Sequence, residues 1–422
     1  MPEAMSSGGA SPVSVIIAGR RFGYPHGMGA TARVHAYAKG LIESGARVRV
    51  ISLLTPPLNG DPGGNHLAVG VYDGVPFEYA CGTRVRAPSF LGRRLLELKV
   101  PIGLWRVSRR QFSGQAGPRA IIAYTQRPTW IVFMAFLARL HGSTCVVELC
   151  EMPLVYERSS AKRAARKWLL DEVAYRFTDG FIAISSYLEE YARLHAPVAT
   201  PIIRVPILAA ASDFAAVEPP GAARQPREVV YVGDMRWHEG DIEDLLNAFS
   251  IVAAREPNVI LKLVGEASDA DMVDMSARAM ELGLENRVEF AGPVQRSQLP
   301  GILRAATMLV LLRRDGLFSR AGFPTKLGEY LASGRPVVTT ATGDIPRYLS
   351  HGISAYLVPS ADPAAFADQM RYVLHHPEQA RAVGMRGRLA AERYFDYRRH
   401  GERLNAFIRD LQRRRDGRSL ET

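Results

Sequence analysis

Residues 322–338 read GFPTKLGEYLASGRPVV, the pattern of a short helix followed at once by an apolar strand. Pro324 suits the beginning of a helix, and Gly334 suits its end. Lys326 and Glu329 are three residues apart and therefore share one face of this helix, close to its N-terminus. We predict a helix whose first turns present a cation and a carboxylate to whatever lies in front of it.

A helix start of this kind offers groups that fit a nucleotide. The free backbone N–H groups around Thr325 and the charge of Lys326 suit a diphosphate. The two acceptor oxygens of Glu329 suit the vicinal hydroxyls of a ribose. The alternative is that Lys326 and Glu329 form only a surface ion pair, worth about 0.2–0.5 kcal/mol.

Strand and helix patterns alternate on both sides of this stretch, which is typical of a parallel α/β architecture. In the first half of the chain, the predicted strands are residues 14–18, 47–53, 120–124, 144–149, 180–184 and 202–205. In the second half, they are residues 228–232, 259–264, 287–290, 308–312, 336–340 and 355–358. The 422 residues exceed the roughly 250–300 that one hydrophobic core serves. We therefore predict two Rossmann-like halves in tandem.

The boundary between the halves is indicated by a change of composition after Ala209, where several prolines stand among alanines. We expect an N-terminal Rossmann-like domain, a linker and a C-terminal Rossmann-like domain. Their bounds are residues 1–213 for the first domain, 214–227 for the linker, 228–392 for the second domain and 393–422 for a final helix that returns to the first.

The composition excludes several classes of protein. The net charge is +11, but no zinc-finger spacing or other nucleic-acid motif accompanies it, so we expect no nucleic-acid partner. The longest apolar run, Trp130 to Ala138, is far shorter than the roughly 20 residues that span a bilayer. The three cysteines form no disulfide framework, which fits a cytoplasmic protein without a leader. We find no His-Glu-x-x-His motif and no cluster of cysteines, so we expect no metal and no cofactor.

A glycine-rich loop, GYPHGMGATAR at residues 23–33, separates the first strand from the first helix. Gly27 and Gly29 allow the backbone to approach a phosphate or a sugar closely. The loop lacks the third glycine of a dinucleotide fingerprint. A flexible turn is the alternative interpretation. Further on, residues 146–153 end a strand with Glu148 and Glu151, which either orient an acceptor hydroxyl or make structural hydrogen bonds.

Together these motifs resemble the GT-B glycosyltransferases of family 4, the retaining group. The Gly27 loop and the helix after it are similar to the family's first loop and helix, and the helix at Glu329 is similar to its donor-site helix. The combination of FPTK with EYLASG resembles a subgroup that builds bacterial surface polysaccharides. Further similar segments are Ile182 to Leu188, Val205 to Leu208, Tyr231 to Met235, Phe290 to Val294 and Gly343 to Pro346.

The resemblance implies a GT-B fold, with two facing Rossmann-like domains and a donor site in the second. It implies that Glu329 holds the donor ribose, that Gly233 and Val294 lie at strand ends beside the nucleotide, and that Gly27 and Gly29 close over the phosphate or sugar. Transfer is then retaining and metal-independent, most simply from a UDP-sugar, by a hexosyltransferase of cell-surface polysaccharide synthesis. We assign catalytic roles to Lys326, Arg236 and Glu151, donor binding also to Thr325, and the acceptor side to Arg33 and Glu148.

The sequence departs from the family pattern at three positions. The family reads Gly-Arg-x4-Lys-Gly after the first strand of the second domain, whereas Asp234 and Glu239 stand here at the positions of Arg and Lys. Ala321 replaces the first Glu of the Glu-x7-Glu motif. One hypothesis is compensation by other cations, with Arg236, Arg320 and Lys326 as candidates. The others are a non-catalytic scaffold partner of this fold, or a sugar-nucleotide epimerase.

The segment from Arg84 to Arg110 is basic and apolar at once, with eight basic residues against Glu97 alone. Such a segment can lie on an anionic membrane surface, which would suit a glycan acceptor carried on a polyprenyl diphosphate. The protein would then be peripheral on the inner face of the cell membrane. A solvated basic loop is the alternative.

Overall fold

The computed structural model describes residues 11–20, 22–27, 29–54, 65–153, 160–214, 227–237, 240–359 and 362–418. The chain divides into two compact units. The first contains residues 1–205 and 397–422, and the second contains residues 206–396. Glu239 and residues 215–226 of the predicted linker lie outside the described residues.

The first unit is a parallel sheet with helices between the strands. Its strands are β1 (Ser14–Gly19), β2 (Arg47–Ser52), β3 (Val69–Tyr72), β4 (Val75–Tyr79), β5 (Arg119–Tyr124), β6 (Thr144–Leu149), β7 (Gly180–Ala183) and β8 (Ile202–Arg204). Its helices are α1 (Gly29–Glu43), α2 (Phe90–Phe112), α3 (Pro128–Leu140), α4 (Ser160–Trp168) and α5 (Ser186–His195). The strand order is β3-β4-β2-β1-β5-β6-β7-β8, and only the β3–β4 pair is antiparallel.

The second unit repeats this architecture with a fully parallel sheet of order β11-β10-β9-β12-β13-β14. Its strands are β9 (Arg227–Val232), β10 (Val259–Val264), β11 (Val288–Gly292), β12 (Met308–Leu311), β13 (Val337–Thr340) and β14 (Tyr356–Val358). Its helices are α6 (Asp241–Ala253), α7 (Asp269–Glu281), α8 (Leu299–Ala305), α9 (Leu317–Ala321), α10 (Thr325–Ala332), α11 (Ile345–Tyr348), α12 (Pro363–His375) and α13 (Pro377–Tyr394). In each unit the strand order reverses beside the first long strand, the position at which open α/β sheets bind ligands.

The twelve predicted strands are all present, so the predicted parallel α/β fold class is confirmed. Two features were missed. The hairpin of β3 and β4 was not predicted, and the loop alternative for the basic segment is wrong over residues 90–112, which form α2. Ser89 caps that helix by accepting a hydrogen bond from the Gly92 N–H at 3.0 Å.

The last helix, α14 (Tyr397–Arg418), packs on α1 in the first unit. The two helices cross where Gly40 faces Gly401. A Cβ on Gly40 would lie 2.3 Å from the Tyr397 carbonyl oxygen, and a Cβ on Gly401 would lie 2.1 Å from the Gly40 carbonyl carbon. Only glycine allows this approach. Hydrogen bonds from Tyr397 Oη to Glu43 (2.7 Å) and from Asn405 to the Ser44 carbonyl (3.0 Å) hold the two helices together.

Candidate functional site

In the second unit, three neighbouring strands end in glycines at the carboxyl edge of the sheet. Gly233 donates its N–H to Val264, and Gly265 donates to Gly292, both at 2.9 Å. Gly265 has a φ of 148°, and a Cβ on it would lie 1.7 Å from the Gly233 carbonyl oxygen. The strand ends therefore approach so closely that a side chain would separate them.

Helix α10 is attached directly beneath the end of β9. Tyr330 is fully buried, and its hydroxyl accepts from the Val232 N–H (2.5 Å) and donates to the Val232 carbonyl (3.1 Å). Gly328 lies against Ala209, since a Cβ there would be 3.1 Å from the Ala209 Cβ. These contacts place the beginning of α10, with Thr325 as its first residue, beside the strand end that carries Gly233.

Glu329 has one carboxylate oxygen in use and one unused. Its side chain is 13% exposed, and Oε1 lies 3.2 Å from Arg296 Nη1. Oε2 lies 4.0 Å from Lys326 Nζ and is buried without a hydrogen-bond partner among the described residues. A buried acceptor without a donor is costly, by about 1–3 kcal/mol. A ligand that brings hydroxyl donors would remove that cost.

Arg296, which the sequence analysis missed, follows the end of β11. That strand ends at Gly292, whose φ of 67° turns the backbone toward half-buried Val294. Because Arg296 reaches Glu329, the segment that carries Val294 lies close to α10. The available signal was a basic residue two positions after the Phe290–Val294 motif.

Two of the three cations proposed as compensating are held by carboxylates. Arg236 Nε lies 2.5 Å from Asp234 Oδ2, the carboxylate that occupies the family's Arg position. Arg320 binds Asp315 through two hydrogen bonds of 3.0 and 2.6 Å. Lys326 is the third candidate, and its nearest described carboxylate oxygen is the one 4.0 Å away on Glu329. Ala321, at the position of the family's first Glu, is fully buried.

A second missed arginine, Arg314, fixes the loop after β12. Its guanidinium binds both oxygens of Asp244 at 2.6 and 2.8 Å, and its backbone N–H donates to Asp241 at 2.9 Å. The hydrogen bond to Asp244 is the largest of the causes that raise the pKa of Arg314 above its usual range. The guanidinium lies over Gly240, where a Cβ would be 1.9 Å from Nη1. Arg314 thus neutralises the acidic first turn of α6 instead of facing a ligand.

In the first unit, the glycine-rich loop is held in one shape by side chains from elsewhere. Asn65 accepts from the His26 N–H at 2.9 Å and donates to the His26 carbonyl at 2.8 Å. Tyr79 Oη makes the same pair of contacts with Tyr24, both at 3.0 Å. A Cβ on Gly27 would lie 2.2 Å from Thr31 Oγ1, and Gly29 begins α1. These contacts link the described part of the loop to residues elsewhere in the unit, and its role at a phosphate or sugar stays a prediction.

Arg33 and Glu148 form a buried ion pair. Arg33 Nε donates to Glu148 Oε1 at 2.8 Å, and Nη2 donates to the Val205 carbonyl at 2.8 Å. Their side chains are 2% and 0% exposed. Burial alone would lower the pKa of Arg33, but Tyr37 and Glu148 raise it above its usual range. The pair links α1 to the end of β6 and is almost fully enclosed, and Glu148 Oε2 is buried without a hydrogen-bond partner among the described residues. Direct contact of the pair with an acceptor stays a prediction that needs a rearrangement.

Glu151 is exposed just beyond the same strand end, and its carbonyl accepts from Gln126 Nε2 at 2.7 Å. The neighbouring thiol of Cys150 lies 3.3 Å from Tyr124 Oη. Burial, and then Glu148 and Glu151, raise the pKa of Cys150 well above its usual range. A raised pKa disfavours the nucleophilic thiolate form of Cys150, and Glu151 is an exposed carboxylate of this edge.

The structure thus brings the predicted residues together in two groups. The first group lies at the carboxyl edge of the second sheet and contains Gly233, Val294, Thr325, Lys326 and Glu329. The second group lies around the carboxyl ends of β1 and β6 and contains Gly27, Gly29, Arg33, Glu148 and Glu151. Within the described ranges, no group of three or more His, Cys, Asp or Glu side chains is arranged to hold a metal ion.

Two family models match the chain. The "Glycosyl transferase 4-like domain" matches residues 28–207, and "Glycosyl transferases group 1" matches residues 226–376. Among curated proteins, the chain is 31% identical over 160 residues to D-rhamnosyltransferase WbpZ of Pseudomonas aeruginosa, covering 38% of this chain and 39% of that one. It spans less than half the length of the curated relatives that it matches.

Solved structures of similar fold cover nearly the whole chain. Sucrose-phosphate synthase from Thermosynechococcus elongatus gives a TM-score of 0.70 at 19% identity over 94% of this chain and 99% of that one. Anabaena Alr3699/HepE, solved in complex with UDP and glucose, gives 0.64 at 17% identity over 97% and 100%. Both are GT-B proteins, so the predicted GT-B fold is confirmed.

Proposed function

Because this chain belongs to the GT-B glycosyltransferases, with a glycosyltransferase 4-like domain followed by a group 1 domain, we propose that it transfers a sugar from a UDP-sugar to a glycan or lipid-linked acceptor. The transfer is retaining and metal-independent, and it serves the synthesis of a cell-surface polysaccharide. The donor binds at the carboxyl edge of the second unit's sheet.

The observation that carries this proposal is the unused oxygen of Glu329. It is buried at the beginning of a helix that is attached to the Gly233 strand end, and it has no donor among the described residues. The 2′- and 3′-hydroxyls of a ribose supply two donors to one carboxylate. With the ribose there, the diphosphate lies toward the first N–H groups of α10, whose helix dipole favours negative charge.

Lys326 is the side chain that we assign to the diphosphate. Arg236 and Arg320 both hold carboxylates, so each would have to exchange a partner before it contacted the donor. Asp234 adds a negative charge where the family has a positive one, and the pairing with Arg236 offsets it. Arg236 therefore acts here by neutralising Asp234, and the phosphates interact with Lys326, Thr325 and the backbone.

The transfer then needs little from other side chains. The bond between the anomeric carbon and the diphosphate oxygen breaks, and the acceptor oxygen bonds to that carbon on the same face. The acceptor proton passes to the departing diphosphate oxygen. Positioning and stabilisation of the leaving charge supply the acceleration. Glu151, exposed at the end of β6, orients the acceptor hydroxyl, and the Arg33–Glu148 pair fixes the strand end from which it projects.

Two similarities support the polysaccharide role, and a third supports a UDP-sugar donor. The sequence combines FPTK with EYLASG, as in transferases of bacterial surface polysaccharides. D-rhamnosyltransferase WbpZ is similar in sequence over part of the chain, and the HepE structure, of similar fold, holds UDP and glucose. An acceptor carried on a membrane lipid would bring the protein to the cytoplasmic face of the membrane as a peripheral protein. Among the described helices, none has the length and apolar character to cross a bilayer.

A nucleotide screen tests the donor site. The thermal unfolding midpoint is measured with UDP, GDP, ADP and UDP-glucose, because a ligand at 100 times its Kd adds about 2.7 kcal/mol of stability. We expect UDP and UDP-sugars to stabilise the wild type and Glu329→Gln to lose most of that effect. If no nucleotide stabilises the wild type, the donor-site proposal is wrong.

A non-catalytic scaffold is the second candidate, and the Asp234–Arg236 pair favours it because a family cation is replaced by a neutralised carboxylate. The two candidates differ in turnover. Transfer from UDP-glucose or another UDP-sugar to a short glycan, with an α or β linkage matching the donor, identifies a retaining enzyme. Binding without turnover identifies the scaffold, and consumption of the donor without an acceptor identifies an epimerase or hydrolase.

A further inference from the structure

Helix α2 carries an apolar stripe that faces solvent. Its buried side is formed by residues that include Val100, Leu104 and Val107. On the opposite side, at spacings of four and three residues, apolar side chains are 38–71% exposed. These are Leu91, Leu95, Leu98, Ile102 and Trp105, and Phe90 adds a further 66% exposed ring at the N-terminus.

The helix is fixed in this orientation by its contacts with the first unit. A Cβ on Gly103 would lie 1.9 Å from the Ala80 carbonyl oxygen, so glycine allows α2 to lie directly on that backbone. Arg20 binds Glu97 at 3.1 Å on one side, and Glu78 binds Arg110 on another. The stripe is therefore held outward by the fold and is not a poorly packed core face.

Basic residues border the stripe on both edges. Successive residues of a helix are rotated by about 100° around its axis. This rotation places Lys99, Arg106 and Arg110 along one edge of the stripe and Arg94 along the other edge, and all four side chains are exposed. Arg109 continues the line of the stripe and lies over the Trp105 ring at 5.7 Å. The single acidic residue of α2, Glu97, is turned to Arg20 and Arg94.

We propose that this surface, the outer face of α2, binds an anionic phospholipid membrane, with the helix lying in the plane of the interface. An apolar stripe with basic borders fits the acyl boundary and the anionic headgroups at the same time. Trp105 has the ring type that is favoured at that depth. The inference extends the proposed function, on which its purpose rests: a protein docked in this way meets an acceptor carried on a lipid.

A second copy of the chain is the competing occupant, because spacings of four and three residues also suit two paired helices. The borders oppose that pairing. In an antiparallel pair of helices the same edges face each other, which would bring Lys99, Arg106 and Arg110 of two copies together. In a parallel pair this basic edge would face the edge that carries Arg94. Like charges beside an apolar seam disfavour self-association and favour an anionic surface.

The test is flotation of the full chain with vesicles of phosphatidylcholine alone or with 30% phosphatidylglycerol, at about 50 and 500 mM salt, since the Debye length shortens severalfold across that range. We expect binding only to the anionic vesicles, with at least a tenfold lower bound-to-free ratio at high salt. Two double variants should each lower the bound-to-free ratio on anionic vesicles at least tenfold. One is Leu98→Ser with Ile102→Ser, and the other is Arg106→Glu with Arg109→Glu.

Matched controls use the same substitutions on exposed side chains elsewhere in the first unit. Leu194→Ser with Val198→Ser, and Arg176→Glu with Arg413→Glu, should leave vesicle binding unchanged. Absence of binding to anionic vesicles at low salt, or equal loss in the controls, overturns the inference. A dimer in sedimentation velocity that the stripe variants dissociate assigns the surface to a second copy and also overturns it.

UDP binding is measured on the same samples, so that this inference and the proposed function can fail separately. Vesicle binding without UDP binding would leave the membrane surface in place and reject the donor site. UDP binding and transfer to a water-soluble acceptor, without vesicle binding, would support the donor site and reject the membrane surface.

Discussion

The two units each contain an Arg–Glu pair at the carboxyl edge of a sheet, and the two pairs differ in burial. Arg33 and Glu148 are 2% and 0% exposed and lie 2.8 Å apart, whereas Arg296 and Glu329 are 59% and 13% exposed and lie 3.2 Å apart. In the first pair the guanidinium has further partners inside the fold, such as the Val205 carbonyl. In the second, the guanidinium is mostly exposed to solvent. Each carboxylate has one buried oxygen, Oε2, without a hydrogen-bond partner among the described residues, so the pairs differ in the exposure of the arginine.

The difference shows that residue type alone does not separate a structural pair from a binding pair. Glu148 lies near the end of a strand and Glu329 lies on a helix, each within a motif expected at the site, and no local pattern reports how deeply either is buried. A charge that is fully enclosed cannot exchange its partner for a ligand without a rearrangement. A carboxylate with an exposed partner can exchange that partner for a ligand. We therefore expect the four sets of variants below to differ in how strongly they affect stability and UDP binding.

The largest effect is expected for Glu148→Gln. This change leaves the Arg33 charge buried without a counter-ion, which should lower the free energy of unfolding by about 3–5 kcal/mol. Urea unfolding monitored by circular dichroism measures it. Replacing both partners with apolar residues, as in Arg33→Met with Glu148→Leu, should recover more than half of the loss. If Glu148→Gln costs less than 1 kcal/mol, the pair is not the structural element described here.

Glu329→Gln should weaken UDP binding and leave the stability of the fold nearly unchanged. We expect stability to change by less than about 1 kcal/mol, since the partner is exposed. UDP affinity should fall roughly 10- to 150-fold, the equivalent of about 1.5–3 kcal/mol for a lost charged acceptor. Calorimetric titration with UDP measures this. Equal affinities of the variant and the wild type would remove Glu329 from the donor site.

Lys326→Ala separates the diphosphate from the ribose. UDP affinity should fall about tenfold, or roughly 1.4 kcal/mol, while uridine affinity stays unchanged because uridine has no phosphate. Lys262→Ala is the matched control, since Lys262 is paired with Glu289 on the same unit. Transfer should also survive EDTA. A loss of activity that Mg²⁺ or Mn²⁺ restores would contradict the account of the phosphate site.

Arg296→Ala should have the smallest effect. An exposed ion pair contributes about 0–1 kcal/mol to stability, and UDP affinity should change less than fivefold. The corresponding change in the other pair, Arg33→Ala, should instead destabilise the fold by several kcal/mol, because it leaves Glu148 buried and unpaired. Similar losses of stability in the two alanine variants would erase the contrast between the pairs.

Much of the fold was predictable because buried parallel strands are short apolar runs bounded by turn residues. The β3–β4 hairpin was missed although its signal was present. Asp73 and Gly74, with φ of 47° and 76°, form the Asp-Gly turn that joins alternating strands. Helix α2 was harder to predict, since Gly92, Pro101 and Gly103 interrupt a sequence whose apolar residues lie on both faces.

The candidate site was predictable only where its residues lie close together in one segment of the sequence. The spacing of Lys326 and Glu329 on α10 follows from the sequence, and the structure has both on that helix. Arg296 and Arg314 were missed because their partners come from distant segments, such as Asp244 at a separation of 70 residues. The Arg33–Glu148 pair spans 115 residues, and no local pattern reports that its members are enclosed together. The site roles of all these residues stay predictions until the variants are measured.

The crossing of α1 and α14 at Gly40 and Gly401 has a consequence for synthesis. The first unit uses residues 1–205 and 397–422, so its sheet emerges from the ribosome long before the helix that covers it. At about 5–20 residues per second, the interval between residues 205 and 397 is roughly 10–40 s. During that interval the face of α1 that packs on α14 is uncovered, and it must not bind other apolar partners before α14 emerges. A ribosome stalled before Tyr397 would therefore hold a first unit that lacks α14.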